Sequence, residues 1–152
     1  MADIVLNTNV LVVLVDERYI RGIIERCDHL YVAACVWKRE KSVFSHFINI
    51  LDENAKRLQK NRKWHLENTE KIDIRPFYSI WRQFMKHFRG NRCDKEVVKL
   101  AFYRRFSKNQ DVILVSDDPD ITSLYHLFEN YNIQVLGYEE ERARIVDFTS
   151  CA

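Results

Sequence analysis

Four acidic residues and one asparagine stand where their side chains could do chemistry, namely Asn7, Glu40, Asp94, Asp118 and Asp120. Several carboxylates gathered in one cleft repel each other, and a bound divalent cation is the usual remedy. Ligands that are all oxygen, with no histidine or cysteine among them, suit Mg²⁺ or Mn²⁺. Such a site can orient a phosphodiester and generate a hydroxide nucleophile for in-line attack.

Three of these residues share a position relative to the predicted strands. Asn7 follows the apolar strand predicted at residues 3–6, and Asp118 and Asp120 follow the continuous apolar run at 112–115. In a parallel α/β sheet, ligands bind beyond the carboxyl ends of the strands, at the point where the strand order reverses. If the two strands are neighbours, we expect their polar residues to face one cleft.

The other two acids belong to predicted helices. Glu40 falls within the apolar stripe of a long helix predicted over about 35–60, where a carboxylate is costly unless it is paired or binds a cation. Asp94 begins a later helix, and taken alone it is more simply interpreted as an N-cap. The same interpretation stays open for Asp118 and Asp120, which precede another predicted helix.

Strands and helices alternate along almost the whole chain. Strands are predicted at residues 3–6, 29–34, 71–76, 112–115 and 133–136, and a loop or frayed helix end at 61–70. Helices are predicted at about 10–15, 17–26, 35–60, 77–88, 94–102 and 121–128. This alternation predicts an α/β fold in which a parallel sheet carries helices on both faces.

Length and composition limit the classes of protein to which the chain can belong. With 152 residues, 47% of them apolar, we expect one domain with a core at about 3–138 and an acidic tail at 139–152. The sequence has no run of eighteen apolar residues and no signal-peptide pattern, so no membrane span is expected. The cysteines lack a Cys-x-x-Cys spacing and are predicted to be free thiols in the cytoplasm, namely Cys27, Cys35, Cys93 and Cys151.

The net charge of +2 hides a strong asymmetry along the chain. Residues 56–92 carry eleven basic against three acidic residues, whereas residues 111–152 carry two against nine. A basic middle segment can attract phosphates. On charge alone, the simpler interpretation is a set of solvated helix faces.

Four segments, in order, resemble the motifs of PIN-domain ribonucleases. The segment at 5–11, VLNTNVL, is similar to the opening motif of that family, although Asn7 stands where the family has aspartate. The segment at 37–40, WKRE, fits the glutamate that the family carries on a helix. The third and fourth acidic motifs are matched by DKEVVKLA at 94–101 and LVSDDPDI at 114–121.

This resemblance covers residues 3–138 and implies a PIN-like three-layer α/β/α fold with a five-stranded, mainly parallel central sheet. It implies catalytic positions at Asn7, Glu40, Asp94 and Asp118, and a Mg²⁺ or Mn²⁺ ion held by Asp94, Asp118, Glu40 and Asp120. Contacts with substrate are expected from Thr8, Asn9, Ser116, Arg62, Lys63 and Arg92.

The resemblance also implies a function, a metal-dependent endoribonuclease that cleaves single-stranded RNA. Many family members are toxins of toxin–antitoxin pairs, so an antitoxin protein and a second copy of the chain are the expected partners. The neutral amide of Asn7 cannot balance the charge of a metal as a carboxylate does, so we expect weak or absent activity. The alternative is a catalytically silent PIN-like module that binds RNA or a protein.

Overall fold

A five-stranded parallel sheet forms the centre of the protein in the computed structural model, which describes residues 2–7, 29–39, 41–57, 63–116 and 118–136. The strands are β1 (Asp3–Leu6), β2 (His29–Ala33), β3 (Lys63–Glu67), β4 (Val112–Val115) and β5 (Ile133–Leu136). They pair in the order β3-β2-β1-β4-β5, and every pairing is parallel. The predicted α/β class is therefore confirmed.

The apolar runs of β1 and β4 result from burial on both faces of the sheet. Every residue of these two strands is buried, as expected for central strands of a parallel sheet. The strands are neighbours, and their register pairs Leu6 with Val115 at the carboxyl ends. Asn7 and Ser116 therefore follow at the same edge of the sheet.

The described helices lie between the strands in the chain, and several of them pack against the sheet. They are α1 (Ala34–Arg39), α2 (Lys41–Arg57), α3 (Tyr78–Met85), α4 (Arg92–Phe102), α5 (Pro119–Thr122) and α6 (Tyr125–Glu129), and a π-helical turn at Tyr103–Ser107 extends α4. Strands are added on both sides of β1, and with the usual right-handed crossovers this order predicts helices on both faces of the sheet. Within the described ranges, no helix is both long and apolar enough to cross a membrane.

Aromatic side chains fill much of the core beneath α4. Phe102 contacts Phe77, Phe84 and Phe128 with steeply inclined rings whose centroids lie 5.1–6.3 Å apart. Edge-to-face pairs of this kind add to the stabilisation that burial of apolar area provides. This packing anchors the body of α4, whose first turn carries Asp94.

The chain between α2 and α3 differs from the prediction. The predicted strand at 71–76 is wrong, because the third strand is β3, which lies within the segment predicted as a loop or helix end. Residues 69–71 and 75–77 form short 3₁₀ turns instead, and the half-buried Ile72 and Ile74 pack against the core. Their alternation therefore comes from two turns and not from a pleated strand.

Two helix predictions also need correction. The helix predicted over 121–128 is two short helices, α5 and α6, and the helices predicted at 10–15 and 17–26 lie outside the described residues. The long helix ends at Arg57 in the described ranges, and Lys63, in the segment predicted as a loop or frayed helix end, begins β3.

The prediction that the cysteines are free thiols is wrong for one pair. Cys35, in α1, and Cys93, in α4, form a disulfide with their Cα atoms 5.8 Å apart. Cys27 and Cys151 lie outside the residues that the structure describes.

Candidate functional site

Asp94 is held in the first turn of α4 by a reciprocal capping interaction with Asn91. Asn91 Oδ1 accepts a hydrogen bond from the Asp94 amide at 2.9 Å, and Asp94 Oδ2 accepts one from the Asn91 amide at 3.2 Å. Such a capping box satisfies two amides that a helix start otherwise leaves without partners. The interpretation of Asp94 as the N-cap is therefore wrong, because Asn91 has that role.

Asp118 stands just beyond the carboxyl end of β4 and is the N-cap of α5. Its Oδ1 accepts a hydrogen bond from the Asp120 amide at 2.9 Å, and its own amide donates to Ser116 Oγ at 3.1 Å. Pro119 occupies the first turn of the helix, where no amide donor is needed. The N-cap interpretation is thus confirmed for Asp118, and the cap fixes its carboxylate above the end of β4.

Asn7 is fully buried directly after β1. Its backbone amide donates to the carbonyl oxygen of Val115 at 3.0 Å, which extends the pairing of β1 with β4 by one residue. A side-chain hydrogen bond between Asn7 and the carboxylate of Asp94 lowers the pKa of that acid. Asn7 therefore connects the end of β1 with the first turn of α4.

The carboxylates of Asp94, Asp118 and Asp120 converge at this edge of the sheet. Each offers one oxygen atom that lies within 4.8 Å of the others, and their exposure rises from buried Asp94 through half-buried Asp118 to exposed Asp120. We call these three residues the acidic group. Burial, and then the negative charge of Asp118, raise the pKa of Asp94 above its ordinary value despite the opposing hydrogen bonds.

The acidic group lies where the topology of a parallel sheet favours a ligand. The chain runs outward from β1 through β2 to β3, and later through β4 to β5 on the other side, so the strand order reverses between β1 and β4. The donor set is all oxygen, which fits Mg²⁺ or Mn²⁺. A divalent cation there would relieve the repulsion between Asp94 and Asp118.

Basic side chains flank the capping turn that carries Asp94. Arg92 begins α4, and its guanidinium lies 3.6 Å from Glu70 Oε1 while its side chain is 86% exposed. So exposed an ion pair contributes little stability and holds Arg92 only weakly. Arg89 and Lys95 are exposed as well, so three exposed basic residues lie within five positions of Asp94 along the chain.

Some of the predicted site residues lie away from this edge of the sheet, and others fall outside the residues that the structure describes. Lys63 is the first residue of β3 and pairs with His29, at the amino end of the sheet. Outside the described residues are Thr8, Asn9, Glu40 and Arg62. The structure thus assembles Asn7, Asp94, Asp118, Asp120 and Ser116.

Sequence reasoning missed three features of the structure. Asn91 could have been found, because an N-cap residue three positions before an acid is a capping-box pattern. The disulfide could not, because Cys35 and Cys93 are 58 residues apart and the spacing of cysteines does not determine which of them pair. The histidines were given no role, yet His29 Nδ1 and His65 Nε2 lie 2.9 Å apart across β2 and β3.

The chain matches no protein-family model, and a search of the curated proteins finds no match either. The resemblance to PIN-domain ribonucleases therefore stays a prediction that rests on the four motifs.

Proposed function

We propose that the protein is a Mg²⁺- or Mn²⁺-dependent endoribonuclease of the PIN type that cleaves single-stranded RNA. The observation that supports this proposal most is the convergence of Asp94, Asp118 and Asp120 within 4.8 Å at the reversal point of the sheet. All three acids come from segments that also resemble the motifs of that family. Sequence and geometry thus point to the same edge of the sheet.

In the proposed site, the acidic group binds the cation through carboxylate oxygens. A bound Mg²⁺ or Mn²⁺ would supply positive charge for the phosphodiester and favour ionisation of the attacking water. Asn7 holds the carboxylate of Asp94 by a hydrogen bond, and Asn91 holds it from the other side. Asp118 is fixed by its cap on α5, so the two inner ligands are set in place before any ligand binds.

RNA is the proposed substrate because exposed basic residues stand close to Asp94 in the chain. Arg89, Arg92 and Lys95 flank the first turn of α4 and can contact backbone phosphates without reading bases. Within the same proposal, the protein is a toxin of a toxin–antitoxin pair in the cytoplasm. Its partners there are an antitoxin protein and a second copy of the chain.

A second candidate function is favoured by one residue. Asn7 is a neutral amide, fully buried where the PIN motif has aspartate, and it cannot balance the charge of a cation or act as a base. A catalytically silent PIN-like module that binds RNA or a protein would tolerate this residue. The two candidates differ in whether restoring the carboxylate restores cleavage.

The test is Mn²⁺-dependent cleavage of single-stranded RNA by the natural chain and by Asn7→Asp. We expect Asn7→Asp to cleave about 10–100-fold faster, since removal of a group that supports a metal site typically costs that factor. Adding Asp118→Ala to Asn7→Asp should abolish cleavage. Adding Asp111→Ala, at the exposed opposite end of β4, should leave it unchanged.

The outcomes separate the two candidates. Cleavage by Asn7→Asp that disappears with Asp118→Ala supports the nuclease. If neither the natural chain nor Asn7→Asp cleaves RNA with Mn²⁺ present, the nuclease proposal is abandoned for the silent module.

A further inference from the structure

The disulfide joins two helix starts at the edge of the sheet that carries the acidic group. Cys35 is the second residue of α1, which follows β2 directly, and Cys93 is the second residue of α4. Asp94 comes next in the chain after Cys93. The bond therefore ties the turn that carries Asp94 to the carboxyl end of β2, beside the central strand.

The noncovalent contacts hold the first turn of α4 less firmly than its body. Val97, Val98, Ala101 and Phe102 are buried in the core and anchor the later turns. In the first turn, Cys93 is the one buried apolar residue, and the Asn91 cap and the hydrogen bond between Asn7 and Asp94 supply the other contacts. Asn91 and Arg92 are both exposed.

We propose that Cys35 and Cys93 are a reversible dithiol–disulfide site, and that the disulfide form fixes the first turn of α4 and so holds Asp94 beside Asn7 and Asp118. In the dithiol form, only noncovalent contacts hold this turn. The coupling of the pair to cation binding rests on the proposed function, because it takes Asp94 as a metal ligand.

The chemistry is ordinary thiol–disulfide exchange with a thiol or dithiol reductant. A reductant thiolate attacks the sulfur atom of Cys35, because Cys35 is half-buried whereas Cys93 is only 4% exposed. The attack forms a mixed disulfide and releases the Cys93 thiolate, which takes up a proton. The second thiolate of the reductant then releases Cys35, so the reductant becomes a disulfide and the protein gains two electrons and two protons. Oxidation by a small disulfide reverses these steps.

The experiment measures backbone hydrogen exchange in the full chain before and after reduction by dithiothreitol, which is removed before measurement. The reporters are the amides of Asp94 and Lys95, which donate to Asn91 at 2.9 and 3.0 Å. We expect both to exchange about tenfold faster in the dithiol form, through local opening of the turn. Amides of Leu100 and Ala101, in the anchored body of α4, should not change.

Single variants assign the effect to this pair. Cys35→Ser and Cys93→Ser should each show the fast exchange of the reduced protein and no response to reductant. Cys27→Ser and Cys151→Ser are the matched controls and should keep the response. If reduction leaves exchange at Asp94 and Lys95 unchanged, or if oxidised protein shows free thiols at Cys35 and Cys93, the proposal is overturned. The reduced natural chain gives this answer even where a variant fails to fold.

A Mn²⁺ titration of the two forms separates this proposal from the proposed function. We expect the disulfide form to bind Mn²⁺ about tenfold more tightly, a factor typical of groups that support a ligand. Equal affinities would overturn the coupling and leave the metal site standing. Absence of Mn²⁺ binding in both forms would count against the metal site. The hydrogen-exchange result would still test whether the disulfide holds the first turn of α4.

Discussion

At the scale of single residues, Asp94 serves two conflicting ends. Its carboxylate accepts the Asn91 amide and so completes the cap of α4, which stabilises the fold. It is also buried near Asp118, and the raised pKa shows that its charge is held at a cost to stability. Raised pKa values of this kind are common among acids at binding and catalytic sites.

The first prediction at this scale concerns Asp94→Asn. The folded-state pKa of Asp94 is raised, so its ionised form destabilises the protein as pH rises through that value, whereas below the unfolded pKa the penalty is absent. Asp94→Asn keeps an oxygen for the cap and removes the charge. We expect its melting temperature at pH 7 without metal to exceed that of the natural chain by a few degrees.

Thermal unfolding at pH 7 and at a pH below 3.8 measures this effect. The gain of Asp94→Asn should shrink at the lower pH, where Asp94 is protonated in both states. Asp111→Asn, at an exposed acid, is the control and should change neither value. A melting temperature of Asp94→Asn at or below that of the natural chain at pH 7 would contradict the account.

Residue types and their order allowed much of the acidic group to be predicted. Asp118 and Asp120 follow a continuous apolar run of the kind expected for a buried strand, and Asn7 follows another. The role of Asn91 and the pairing of Cys35 with Cys93 depend on three-dimensional proximity. A polar residue at a helix start does not by itself identify its hydrogen-bond partner, and a cysteine does not identify the distant cysteine with which it pairs.

At the scale of elements, β3 explains where sequence reasoning failed. Central strands give continuous apolar runs, because both faces are buried, whereas β3 is one of the two edge strands of the described sheet. Its sequence, KWHLE, mixes charged, polar and apolar residues, and Leu66 is 57% exposed. Charged residues on an edge also discourage pairing with other chains, which makes such a strand resemble a loop in sequence.

The prediction at this scale concerns the histidines that join β2 and β3. Burial, and then the charge of His29, lower the pKa of His65 below 6.5, whereas nearby Glu67 and Asp3 oppose this and Arg104 adds to it. As pH falls below 6.5, the unfolded chain takes up a proton at position 65 before the folded one does. Stability should therefore fall with pH in this window, and no such loss arises above it.

Melting temperatures at pH 7.5 and 5.5 test this pH dependence. The natural chain should lose more on acidification than His65→Gln, which cannot titrate at this position. His87→Gln, at an exposed histidine, should behave like the natural chain. Equal losses for the natural chain and His65→Gln would show that titration of His65 does not lower the stability of the protein on acidification.

At the scale of the whole molecule, the fold follows from the order of its strands. Alternation of strands and helices predicted a parallel sheet, and the adjacency of β1 and β4 brings together residues more than 80 positions apart, namely Asn7 with Asp94 and Asp118. The hydrophobic pattern determines the class of fold, since it records which strands are buried on both faces. It does not determine side-chain chemistry, and so the function needs a direct measurement.

That measurement is Mn²⁺ binding, followed by electron paramagnetic resonance of the free ion during titration of the oxidised chain. The account predicts saturable binding by the natural chain and at least about tenfold weaker binding by Asp118→Asn, with Asp111→Asn unchanged. Saturation without any loss in Asp118→Asn would place the ion elsewhere. No saturable binding by the natural chain would contradict the central claim that Asp94, Asp118 and Asp120 form a divalent-cation site.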